Sequence, residues 1–285
     1  MKLIECPRDA MQGLESFIPT RIKAEYINLL LHVGFDTVDF GSFVSARAVP
    51  QMKDTAEVLE KLDLSSTKTK LLAIVANTRG AQEAVAHEKI TYIGFPFSIS
   101  ETFQQRNTRS GIFESLGTVE KILNLCQKHN KKAVIYLSMA FGNPYGDEWN
   151  TKLVAYYAEE LIERGCTIIS LSDTVGVSTA KKINDIFPAL HEAFPDVEFG
   201  AHLHSSPEKW YDKIDAAYSS GCTRFDSALK GFGGCPMAED KLVGNIATEN
   251  IIDYLHSNGI ELKLNHDKLQ ESLEYSKKVF LSQPG

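Results

Sequence analysis

His202 and His204 stand two residues apart at the end of a strand-like run, 197–203. Strand side chains alternate with period 2, so both imidazoles point to one face. There they either chelate one cation or form a hydrogen-bonded pair on a half-buried strand. Asp9 follows the first strand-like run and, in a closed barrel, comes close to the strand that carries the two histidines. It adds a hard anionic oxygen. Nitrogen and oxygen ligands without a thiolate suit Mg²⁺ or Mn²⁺, with Zn²⁺ also admissible. Arg8, beside Asp9, is either a cation that stabilises an enolate or thioester oxygen or the partner of a neighbouring carboxylate. Asp39 and Asp173 fall at the ends of other strand-like runs, as working carboxylates or as helix caps and loop anchors. Cys235 follows Gly231, Gly233 and Gly234, whose freedom lets a loop close over a ligand. Its thiol is either a proton donor or a lone cysteine in a tight turn, and no phosphate-loop signature accompanies it.

The elements that must position these groups follow from a repeated phrase. A helix-like segment ends in Gly, a polar or aromatic residue follows, and a short β-branched run ends in small or acidic residues. The phrase occurs at Gly34, Gly165 and Gly221, where glycine provides the left-handed helix terminus before a strand. Turn-bounded runs predict strands at 3–6, 36–40, 69–75, 90–95, 132–138, 167–172, 197–203 and 223–227. Amphipathic stretches such as 21–31 and 151–162 predict helices between them. Eight such units fit a TIM (β/α)₈ barrel, which typically needs about 250 residues, with a C-terminal helix left over near 265–280. A doubly wound open sheet competes, but eight units are more than most open sheets use. No Pro/Gly/Ser-rich linker divides the 285 residues, so residues 1–285 are read as a single catalytic domain. In such a barrel the active site lies at the C-terminal ends of the strands, where the residues above fall.

Composition narrows the class of partner. With 30 Lys+Arg against 37 Asp+Glu the net charge is −7, and no basic stripe is present, which argues against nucleic acid. No window approaches the roughly 18 consecutive apolar residues of a membrane span, and the sequence opens without a signal pattern, so the expected setting is cytoplasmic. The five cysteines are widely spaced, with no Cys-x-x-Cys pair, which argues against a disulfide framework or a structural zinc site. The sequence leaves open whether the chain forms a homo-oligomer.

The ordered set Pro7-Arg8-Asp9-x-x-Gln12, Ser42-Phe43-Val44-Ser45 through Val49-Pro50-Gln51-Met52, Ser170-Leu171-Ser172-Asp173-Thr174-x-Gly176-Val177, His202-x-His204, Gly233-Gly234-Cys235-Pro236 and Gly244-Asn245-x-Ala247-Thr248-Glu249 resembles the 3-hydroxy-3-methylglutaryl-CoA lyase family of the DRE-TIM metallolyase superfamily. The resemblance runs from Leu3 to about Leu255. It implies a TIM barrel and a divalent cation held by Asp9, His202, His204 and Asn245. It further implies an acyl-CoA substrate, enolate stabilisation by Arg8 and proton handling by Cys235. Asp173 takes the place of a catalytic aspartate, with Asp173 or His202 as the base, while Gln12, Asp39 and Ser42 line or support the substrate pocket together with Arg8. The implied reaction is retro-Claisen cleavage to acetoacetate and acetyl-CoA. Related aldolases and Claisen-type synthases of the superfamily share the Arg-Asp and His-x-His elements. Two positions depart from the family pattern. Ser205-Ser206 replaces Asp-Thr after the second histidine, removing a carboxylate that could orient an imidazole, and Asp39 replaces a glutamate.

Overall fold

In this computed structural model residues 1–234 and 243–280 are described. Eight parallel strands close into a barrel: β1 (Lys2–Glu5), β2 (Thr37–Ser42), β3 (Lys70–Ile74), β4 (Ile90–Ser98), β5 (Lys132–Ser138), β6 (Ile168–Ser172), β7 (Glu198–His202) and β8 (Arg224–Ser227). Closure runs through β8 and β1, in register from Lys2 opposite Arg224 to Glu5 opposite Ser227. The barrel expected from the spacing is therefore present. Helices Thr20–Leu31 and Thr151–Glu163 match the amphipathic stretches, and His266–Phe280 is the additional C-terminal helix.

The core has two parts. Outward-facing strand residues such as Val38, Phe199 and Phe225 pack under the helices in one large apolar cluster. The barrel lumen holds a smaller one: Leu72, Ile74, Tyr92, Val134, Tyr136 and Ile168. Alternation along β8 shows why the lumen is partly polar, because Phe225 joins the helical layer while Arg224 and Asp226 face inward and are buried. Room for the Arg224 side chain comes from Gly200 on β7, where a Cβ would lie 2.8 Å from Arg224 Cδ.

Two local differences from the sequence reading shape the mouth of the barrel. The residues after β1, to which the sequence reading assigned no element, form a short helix, Pro7–Gln12, with proline at its first turn, where its missing N–H costs nothing. His202 and His204 do not share one strand. β7 ends at His202, and His204–Ser205 starts a two-residue antiparallel ribbon with Gly244–Asn245.

Candidate active site and metal centre

Helix 7–12 presents one polar face to the barrel mouth. Arg8, Asp9 and Gln12 lie three and four residues apart, so they meet side by side. Arg8 Nη1 donates to Asp9 Oδ1 at 3.0 Å and to Gln12 Oε1 at 2.9 Å, while Gln12 Nε2 donates to Asp9 Oδ1 at 2.9 Å. From β2, Asp39 accepts from Arg8 Nε at 3.0 Å and from Nη2. Arg8 carries five N–H groups. Four are committed to these partners, and one on Nη2 has no partner among the described residues. Burial raises the Asp39 carboxyl, to about 6, against the pull of Arg8, so it is ionised at neutral pH. For Asp9 the penalty of burial is outweighed by Arg8, His202, His204 and the Asn245 amide, which hold it down to about 2.

The imidazoles of His202 and His204 lie beside this carboxylate, with ring centroids 5.1 Å apart. One ligand atom from each of Asp9, His202 and His204 falls within 4.8 Å of the others, the span a single cation can bridge. Both ring tautomers follow from acceptor-only partners. His202 Nδ1 faces Asp226 Oδ2 at 3.3 Å and His204 Nδ1 faces the Thr174 carbonyl at 3.2 Å, so Nδ1 carries the proton in each ring, and Nε2 offers a lone pair whenever the ring is neutral. His204 Nε2 is buried without any hydrogen-bond partner, which is the condition of a ligand atom awaiting a cation. Burial, reinforced by the charge of His202, lowers His204 to about 4 and keeps it neutral. Burial also opposes the charged form of His202, but the hydrogen bond and charge of Asp226 prevail and raise it.

Asn245 reaches the same point from far along the chain. In the antiparallel ribbon it stands directly opposite His204. Its Nδ2 donates to Asp9 Oδ2 at 2.8 Å and to the Phe232 carbonyl at 3.0 Å, which leaves its oxygen as the available donor. The glycine loop packs against the same helix. Gly233, at φ +85°, approaches so closely that a Cβ would lie 2.7 Å from the Asp9 carbonyl and 2.5 Å from Ala10 Cα, so only glycine fits there.

Arg8, Asp9, Gln12, Ser42, His202 and His204 line a cavity of about 400 Å³ at the C-terminal ends of the strands. Its other wall is largely apolar, with Val44, Ala48, Val49, Ile74, Ala76 and Phe103, and Arg106 stands at the rim over the Tyr145 ring. A wider groove between helix 20–31 and the C-terminal helix, bordered by Glu25, His32, Asp267 and Glu271, belongs to the outer helical layer and holds none of these residues.

Not every expected residue joins the site. Asp173 does not open onto the cavity, because its oxygens accept from Lys213 Nζ at 2.7 Å, from the Ser178 amide at 3.0 Å and from the Ser178 hydroxyl. Lys213 also donates to the His204 carbonyl at 2.6 Å, so Asp173 anchors the segment that carries a ligand instead of facing substrate. Asp39 likewise sits behind Arg8 and not on the cavity wall. Cys235 lies outside the described residues, while Cys6, Cys126, Cys166 and Cys222 are buried free thiols. Ser205 turns its hydroxyl to the Ser206 carbonyl and supports neither imidazole. Sequence reasoning missed Lys213 and Asp226. The second had a signal, since it ends the third copy of the repeated phrase, at the same strand terminus where the other carboxylates were sought.

Fold and site define a TIM-barrel enzyme of the HMGL-like class with a candidate metal site. The HMGL-like family model matches residues 3–275, and the chain belongs to that family. It is 33% identical over 276 residues to the cytoplasmic 3-hydroxy-3-methylglutaryl-CoA lyase of Rattus norvegicus, covering 96% of this chain and 80% of that protein. It is 32% identical to a 3-hydroxy-3-isohexenylglutaryl-CoA/hydroxymethylglutaryl-CoA lyase of Pseudomonas aeruginosa, covering 94% and 88%. Among solved structures, an HMG-CoA lyase from Acinetobacter baumannii in complex with coenzyme A and 3-methylmalate superposes with a TM-score of 0.89 at 27% identity, covering 98% and 90%.

Proposed function

We propose that this chain is a divalent-metal-dependent carbon–carbon lyase that cleaves 3-hydroxy-3-methylglutaryl-CoA to acetoacetate and acetyl-CoA. The observation that carries this reading is the convergence of Asp9, His202 and His204 within 4.8 Å, beside an arginine with one N–H uncommitted among the described residues, on a cavity of about 400 Å³ in an HMGL-like chain. Asp9, both Nε2 atoms and the Asn245 oxygen would hold Mg²⁺ or Mn²⁺. When bound, such a cation supplies Lewis acidity toward substrate oxygens and lowers the pKa of a hydroxyl.

The residues of the chain divide the remaining work. In retro-Claisen cleavage the 3-hydroxyl gives its proton to solvent water, its oxygen becomes the ketone oxygen of acetoacetate, the bond between that carbon and the α-carbon of the thioester breaks, and the electron pair passes into the thioester as an enolate. Arg8 meets that charge with its remaining Nη2 proton, already oriented by Asp39, Asp9 and Gln12, so no reorganisation is needed as the charge develops. Asp39 and Gln12 act through Arg8 by fixing its plane. His202 has Nδ1 committed to Asp226, so its single remaining nitrogen serves the cation and a separate role as base is not open to it at the same time. Cys235 is assigned the protonation of the enolate carbon, which completes acetyl-CoA. Its neighbour Gly233 packs on the Asp9 backbone.

Acetyl-CoA release from 3-hydroxy-3-methylglutaryl-CoA by the purified protein, with Mg²⁺ or after EDTA, tests the assignment. Metal-dependent release is expected, and none from folded, metal-loaded protein overturns it. A second substrate has its own support. The apolar wall at Ala48, Ile74, Ala76 and Phe103 could take a 3-substituent longer than methyl, as the name of the Pseudomonas aeruginosa relative describes for that protein. Higher kcat/KM with a 3-isohexenyl substrate would favour it.

A further inference from the structure

The buried polar atoms that lack a hydrogen-bond partner are concentrated in one place. Of the six among the described residues, all but Asp54 Oδ2 belong to the metal centre or to the lumen beneath it: His204 Nε2, Tyr136 Oη, Arg224 Nε and Nη2, and Asp226 Oδ1. They form a column along the barrel axis. At its base Lys2 pairs with Glu198, which accepts from Arg224 Nη1 at 3.3 Å. Above this, Arg224 Nε stands 3.9 Å from Asp226 Oδ1, too far for a direct hydrogen bond. Asp226 Oδ2 then meets His202 Nδ1 at 3.3 Å, and the Tyr136 ring stands edge-on to that imidazole at 5.6 Å. Fully buried charges and hydroxyls are ordinarily paired, so these atoms, without a partner among the described residues, single out a polar column around Arg224, Asp226 and Tyr136.

We propose that Asp226 is the positioning carboxylate of the metal centre, fixing the ring of His202, and that Arg224 holds Asp226 in place from the barrel floor. Ser205-Ser206 puts no carboxylate after His204, and the structure assigns the orienting role to β8 instead. Arg224 touches none of the candidate ligands, and the missing side chain at Gly200 makes its course up the lumen possible. The arrangement rests on the metal-centre reading above and is independent of which acyl-CoA is cleaved. A carboxylate behind a ligating histidine fixes ring orientation and raises ligand basicity, and its loss typically weakens metal binding roughly 10- to 100-fold.

Titration of metal-free protein with Mn²⁺, followed by electron paramagnetic resonance, tests this without substrate, and the visible spectrum of the Co²⁺-loaded protein reports the ligand geometry. In Asp226→Asn a loss of affinity in that 10- to 100-fold range and a changed Co²⁺ spectrum are expected, with the melting curve still cooperative. Arg224→Met should weaken Mn²⁺ binding by a smaller factor although it removes no ligand, and Arg224→Lys should restore part of the loss. Should either single variant fail to fold, Asp226→Asn/Arg224→Met leaves no lone buried charge and carries the same test. Wild-type affinity and spectrum in the folded variants overturn the proposal, as does failure of the double variant to fold, which would assign the pair to stability. Failure of the unaltered protein to bind Mn²⁺ overturns the metal-centre reading itself, and this proposal with it.

Discussion

Replacing Arg8 by Met separates its two jobs, because the structure gives each a different energetic signature. The first is neutralisation. Asp39 is fully buried, and its hydrogen bonds all come from Arg8. Breaking a buried pair by removing one partner costs about 3–5 kcal/mol, since the remaining charge has neither solvent nor counter-ion. Arg8→Met should therefore lower the stability measured by urea unfolding by about that amount. Adding Asp39→Asn removes the stranded charge while keeping the side-chain shape, and it should return most of the loss. The second job is the remaining Nη2 proton. Losing one donor aimed at a developing oxyanion costs about 2.7–4 kcal/mol, or a hundred- to a thousandfold in kcat. That loss should persist in Arg8→Met/Asp39→Asn, because neither Met nor Asn replaces the donor. Urea midpoints and acetyl-CoA release on the same samples make the comparison. If the double variant regains turnover to within about tenfold of the unaltered protein, Arg8 served only to neutralise Asp39, and the catalytic assignment fails.

Asp9→Ala removes the carboxylate that Arg8, Gln12 and Asn245 all orient, and elemental analysis should find the metal site empty; undiminished metal content would show that Asp9 is not a ligand. Cys235→Ser should keep fold and metal while turnover falls by orders of magnitude, whereas near-normal turnover would end its proton-transfer role. Burial raises Glu5 from 4.5 to about 8 despite its bonds to Thr248 and the Leu229 amide. A carboxyl raised by folding holds its proton in the native state after the unfolded chain has released it, so stability falls as pH rises from about 4.5 to about 8. Between about pH 6 and pH 8 this amounts to roughly 2–3 kcal/mol. Melting temperatures should drop less over that interval in Glu5→Gln, and equal drops would refute the assignment. Lys213→Met strands Asp173 and should cost about 3–5 kcal/mol, largely recovered by adding Asp173→Asn; an unchanged urea midpoint in the single variant would show the pair to be dispensable.

The sequence by itself determined what depends on short-range order. Periodicity and helix-ending glycines placed all eight strands to within a few residues, and the C-terminal helix was the stretch left over after eight units. The residue types at strand ends located Arg8, Asp9 and the His-x-His pair, because those groups lie within four residues of the end of the strand that carries them. Tertiary structure decided the pairings. Asn245 meets Asp9 across 236 residues of chain, through a two-residue ribbon too short to leave a periodic signal. Both Asp173 and Asp39 were expected at strand ends; Asp173 follows β6 and turns to Lys213, Asp39 lies within β2 and turns to Arg8, and neither faces the cavity. Which way a buried carboxylate turns is set by the cation that closes over it, and Lys213 comes from a helix 40 residues away. Asp226 shows the same limit. Its placement behind His202 follows from barrel closure, which sets Asp226 opposite His202 in the strand register, long-range pairing that no local pattern encodes.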